Sequence, residues 1–110
     1  MAWIEANTNI SNAYTNKYGN GASSMSTSVS LTGLEKGKNY LLLAYSAGTT
    51  NLTNTYQDGA TCTNGTLTKI NNIITVGTRH AAGTAYNFKP TSTSSTITLP
   101  NSGWVQVYEC

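Results

Sequence analysis

Charged side chains are scarce in this sequence. They make up 9% of its 110 residues, against about 25% in an ordinary soluble domain. The six basic and four acidic residues are scattered, for a formal net charge of +2. With no Lys/Arg cluster there is no electrostatic footprint for nucleic acid or an anionic membrane surface. His80 is the single histidine, and Glu5, Glu35, Asp58 and Glu109 lie far apart in the chain. General acid–base work needs titratable groups tuned or oriented by a second group, and no such spacing occurs. Serine and threonine abound, yet no Gly-x-Ser-x-Gly elbow presents a nucleophile. One histidine and two distant cysteines make no zinc set, and Asp58 alone makes no calcium loop. The reading is therefore a non-enzyme without metal or cofactor, with His80 as a surface-loop residue.

Long apolar runs are missing too. None approaches the ~20 residues that span a bilayer as a helix, and no stretch repeats apolar residues at i, i+3, i+4 and i+7. The start, Met1-Ala2-Trp3-Ile4-Glu5, lacks the basic and apolar regions of a secretory signal, so synthesis in a cytoplasm is expected. Cys62 and Cys110 are the two thiols. In a reducing compartment free thiols are favoured over a bridge between them.

What fills the chain is neutral polarity: 19 Thr, 11 Ser and 13 Asn. Three Asn-x-Ser/Thr acceptors, at Asn9, Asn51 and Asn64, match the ~3.5 that this composition yields by chance. The organised signal is strand-like. Met25, Thr27, Val29 and Leu31 alternate with serines, predicting a half-buried strand over Met25–Leu31. Asn39–Tyr45 is apolar on both faces and predicts a central strand covered on both sides. Thr61–Thr63 and Thr66–Thr68 read as hairpin arms around Asn64-Gly65, a dipeptide suited to a type I′ turn. Ile70–Val76 and Thr84–Phe88 follow, the latter stopped by Pro90. Ser95–Leu99 and Trp104–Tyr108 flank a turn at Pro100–Gly103, with Val105 and Val107 inward.

Seven or eight short antiparallel strands in one domain, residues 1–110, predict an all-β single β-sandwich. Residues 1–24 read as an N-terminal strand plus a long loop or arm. At this length roughly 65% of the unfolded surface is buried on folding, so no disulfide or metal framework is required. Tyr40 and Phe88 are core candidates. Trp104, Gln106 and Tyr108 lie opposite the two valines, and with Trp3 they are the candidate interface. Trp and Tyr serve equally as core and as protein anchors, and less often as a platform for sugar.

Leu34, Gly37 and Tyr40, within Leu31-Thr-Gly-Leu-Glu-Lys-Gly-Lys-Asn-Tyr-Leu-Leu-Leu, resemble the Leu-x-Pro-Gly-x-x-Tyr corner of fibronectin type III domains. Lys36 stands where that family has proline, and the corner comes early here, with 70 residues after Tyr40. The resemblance implies an immunoglobulin/fibronectin-like sandwich with Tyr40 bonded back across one end, a jelly roll being the alternative. More broadly, the Thr/Asn/Gly-rich strands, low charge and cytoplasmic start make the chain similar to small β-sandwich proteins of tailed bacteriophages. That likeness implies an auxiliary or decoration protein outside a capsid, with the major capsid protein or other virion proteins as partners and self-association into a homo-oligomer. A glycan- or receptor-binding module of a fibre or a bacterial surface is the alternative.

Overall fold

The computed structural model describes residues 24–48, 52–74 and 80–109. All of the regular structure there is strand: β1 (Ser26–Leu31), β2 (Tyr40–Ala47), β3 (Thr61–Cys62), β4 (Gly65–Ile74), β5 (Ala81–Pro90) and β6 (Ser95–Glu109). The all-β antiparallel class expected from the alternation is thus present. Among the described residues there are six strands, joined in one antiparallel sheet of order β1-β6-β2-β5-β4, with β3 also on β6.

β6 organises the sheet. Its first part, Ser95–Thr98, lies between β1 and β3, while Trp104–Glu109 pairs with β2. The same face of β6 points inward along its length, through Ile97, Leu99, Val105 and Val107, each at most 3% exposed. Both portions of the sheet therefore close on one core, shared by Val29 and Leu31 of β1, Leu42 of β2 and Tyr86 and Phe88 of β5.

Four local readings change. The expected turn at Pro100–Gly103 is instead the stretch where β6 exchanges partners without breaking. The carbonyls of Asn101 and Ser102 are served by side chains: Gln57 Nε2 donates to Asn101 O at 2.7 Å and Ser46 Oγ to Ser102 O at 2.6 Å. Gly103 permits the crossing, because a Cβ there would stand 2.5 Å from Tyr45 O and 2.6 Å from Gln57 Nε2.

Nor does Asn64-Gly65 close a hairpin. β3 pairs with β6 and β4 with β5. Asn64 has φ 51°, but Gly65 is not among the positive-φ residues, and a type I′ turn needs both. The arm expected at Thr66–Thr68 is continuous with Ile70–Ile74, the register merely shifting between Lys69 and Asn71; residues 75–76 of that predicted strand lie outside the described residues. β1 begins at Ser26, with a register shift between Ser26 and Ser28; Met25, just before it, is 39% exposed, while Val29 and Leu31 are buried. Finally, β2 is buried on one face and half-buried on the other, not covered equally on both.

Candidate recognition face

The outer face of the β6-β2-β5-β4 sheet follows from register. Strand side chains alternate, and Leu42, Ala44, Phe88, Val105 and Val107 point inward. Their neighbours Leu41, Leu43, Tyr45, Trp104, Gln106 and Tyr108 therefore share the opposite face. Tyr45 lies between Trp104 and Gly83, Leu43 between Gln106 and Ala85, and Leu41 between Tyr108 and Asn87. On β4, Ile73, Asn71 and Thr68 continue these three rows. No side chain in them is charged.

The candidates Trp104, Gln106 and Tyr108 are thus brought together on one face, opposite Val105 and Val107. Trp104 packs on Tyr45, ring centroids 5.4 Å apart and tilted by 38°. The Tyr108 hydroxyl donates to Gln106 Oε1 at 3.1 Å. Gln106 is 8% exposed, whereas the aromatic residues are half-buried and Ile73 is 40% exposed. Between β6, β2 and β4 lies a hollow of about 380 Å³, with Leu43, Tyr45, Ile73, Gly83, Gln106 and Tyr108 on its walls and floor. Trp3 lies outside the described residues.

The corner triplet is elsewhere. Leu34 and Tyr40 are 3% and 1% exposed, and the Tyr40 hydroxyl accepts a hydrogen bond from the Glu35 N–H at 2.8 Å. The Gly37 N–H donates to Pro90 O at 2.8 Å. This end is a packed corner, its tyrosine spent on the backbone.

A polar cluster sits on the inner side. Asp58 Oδ1 accepts from Thr84 Oγ1 at 2.8 Å and Asn72 Nδ2 at 2.7 Å, and its Oδ2 from Lys69 Nζ at 2.8 Å. The Lys69 and Thr84 bonds hold its carboxyl below the usual carboxylate range. A carboxylate so engaged is a poor proton acceptor, and its role is to tie the 52–60 segment to β4 and β5. Tyr86, whose hydroxyl donates to Gln57 O and accepts from the Ala60 N–H at 3.2 Å, makes the neighbouring tie.

Cys62 carries a free thiol, and its partial burial, opposed by a bond with Ser95, raises its pKa, which disfavours the reactive thiolate. Cys110 lies outside the described residues. His80 is exposed just before β5. Among the described residues no three His, Cys, Asp or Glu stand close enough to hold a metal ion.

Sequence reasoning missed Leu43, Tyr45, Ile73 and Gly83. The signal for the first two was present, since β2 is apolar in both phases, but it was read only as a strand covered on both sides. The small-residue run Ala81-Ala82-Gly83-Thr84-Ala85 marks the low floor of the hollow. No family model, no curated protein and no solved structure matches the chain.

Proposed function

We propose that this chain is a non-enzymatic recognition protein that meets its partner through the outer face of the β6-β2-β5-β4 sheet. In its specific form it is an auxiliary protein on the outside of a bacteriophage capsid. The observation that carries the recognition reading is the three-row, charge-free face of half-buried Leu41, Leu43, Tyr45, Trp104 and Tyr108. Aromatic residues are enriched in interface cores and charges depleted there, and a contiguous apolar patch is a mark of an interaction site. The virion assignment rests on the composition and the sequence likeness. Binding to assembled lattice alone would stabilise it by mass action, and low charge lets many copies sit close without mutual repulsion.

The test is quantitative mass spectrometry of purified particles from the source of the gene. A fixed ratio of this chain to the major capsid protein is expected, and its absence from particles overturns the virion form. A folded Leu43→Arg variant should fail to bind the particles; retention of that variant overturns the face.

The alternative, a glycan- or receptor-binding module, draws on a different observation: the hollow beside Gln106.

A further inference from the structure

Most polar groups packed into this sheet are used by the fold. Gln106 is the exception on the outer face. It is more than nine-tenths buried, at 8% exposed, and the Tyr108 hydroxyl occupies its Oε1. The amide is placed with Oε1 toward that hydroxyl. Among the described residues its Nε2 has no hydrogen-bond acceptor, and the residue lines the hollow. An amide N–H that opens on a hollow takes its acceptor from whatever fills that hollow.

The rest of the hollow sets what that acceptor belongs to. Gly83 forms the floor, where a Cβ would stand 2.8 Å from both Ala44 O and Tyr45 Cβ, so the space above it depends on glycine. Tyr45, Tyr108, Leu43 and Ile73 supply aromatic and aliphatic walls, and no lining residue is charged. The hollow is an open depression of about 380 Å³ on the sheet face, so a ligand there would lie on the face with one side in water. An ionic ligand would find no counter-charge there. An extended peptide would find a sheet face with its backbone already paired, not an edge to join.

We propose that this hollow binds a neutral sugar ring, its C–H face against the tyrosines and aliphatic walls and a hydroxyl serving the Gln106 amide. A hydroxyl both gives and takes hydrogen bonds, and a pyranose joins an apolar face to a hydroxylated rim. This matches walls of carbon around one amide. The inference rests on the outer face being the recognition surface.

The experiment uses the full chain on an array of neutral glycans ending in glucose, galactose, mannose or N-acetylglucosamine, with sialylated glycans as the charged control. Hits are followed by NMR titration with the free sugar. Binding of at least one neutral glycan is expected, with shifts in the Gln106 side-chain amide and the Gly83 backbone amide. Gln106→Leu should weaken it at least tenfold with an unchanged circular dichroism spectrum. Ile73→Arg, at the exposed rim, gives a second probe that does not touch the buried amide, and it should weaken binding similarly. No neutral binding, binding confined to sialylated glycans, or undiminished binding in both variants overturns the sugar site. If the array is negative while Leu43→Arg still detaches the chain from particles, the sugar site falls and the recognition face stands. If Leu43→Arg stays on particles, the face falls as a protein contact whatever the array shows.

Discussion

Two faces of the same four strands are built from similar residues and have different fates. On β2, Tyr40, Leu42 and Ala44 turn inward and are at most 1% exposed, while Leu41, Leu43 and Tyr45 turn outward and are half-buried. On β6, Val105 and Val107 are sealed at 0% exposed, and Trp104 and Tyr108 across the pleat are not. The inner face is closed by the chain's own devices: β1, the first part of β6, and the 52–60 segment with Gln57 and Asp58. The outer face has aromatic contacts within itself, such as Tyr45 on Trp104, and a hollow at its centre. An apolar phase in a strand thus says that something covers it in part; which molecule does so is decided by tertiary structure.

The sharpest test of the contrast pairs one residue from each face. Phe88→Ala should cost about 3–5 kcal/mol, the usual range for emptying a buried aromatic site, since Phe88 is 0% exposed and stacks near Tyr40 at 6.1 Å. Leu43→Ala should cost about 1 kcal/mol, because its burial is partial. Urea denaturation of both variants decides it, and equal losses would erase the distinction.

The devices that close the inner face come next. Gly103→Ala must push a Cβ against Tyr45 O, Gln57 Nε2 and Ser46 Oγ, and overpacking of this kind costs about 1–3 kcal/mol. Gln57→Ala should cost about as much, ~1–3 kcal/mol, by leaving Asn101 O and Ser46 Oγ without their donor. Amide exchange should quicken around Asn101–Gly103 in both, and unchanged protection there would refute the closure role of the 52–60 segment.

Asp58 gives the smallest effect and a sign. Its folded pKa lies below the ordinary 3.8, so its stabilisation is complete above that value and is lost as pH falls through the folded one. Asp58→Asn should therefore lower the melting temperature at neutral pH, and the gap from the native chain should close below about pH 4. A gap that persists in acid would assign the loss to packing rather than charge.

Much of this was legible beforehand and some was not, for identifiable reasons. The strand class, β2, the inward Val105 and Val107, and the buried Tyr40 and Phe88 all follow from alternation, a local property. The continuity of β6 was hidden because Pro100–Gly103 carries turn residues, and the side chains that serve its carbonyls come from Ser46 and Gln57, far away in sequence. Asn64-Gly65 misled because a dipeptide's turn preference does not say whether the strands it joins pair with each other. Of the candidate site, Trp104, Gln106 and Tyr108 were readable as a phase of one strand. Tyr45, Gly83 and Ile73 join them through register with other strands, and no local pattern encodes that.

β6 is also the last of these strands in chain order, yet β1 has β6 as its sheet neighbour. As the chain leaves the ribosome, Val29 and Leu31 wait for Ser95–Thr98, their sheet partner among the described residues. Pairing this distant in sequence slows folding, and an unpaired strand in the interval is an aggregation hazard. Ser30, exposed between buried Val29 and Leu31, and exposed Ser28 just before them give the waiting strand a hydrated side. The serines that mark the polar phase of β1 thus also keep it hydrated during the seconds of synthesis before its partner exists.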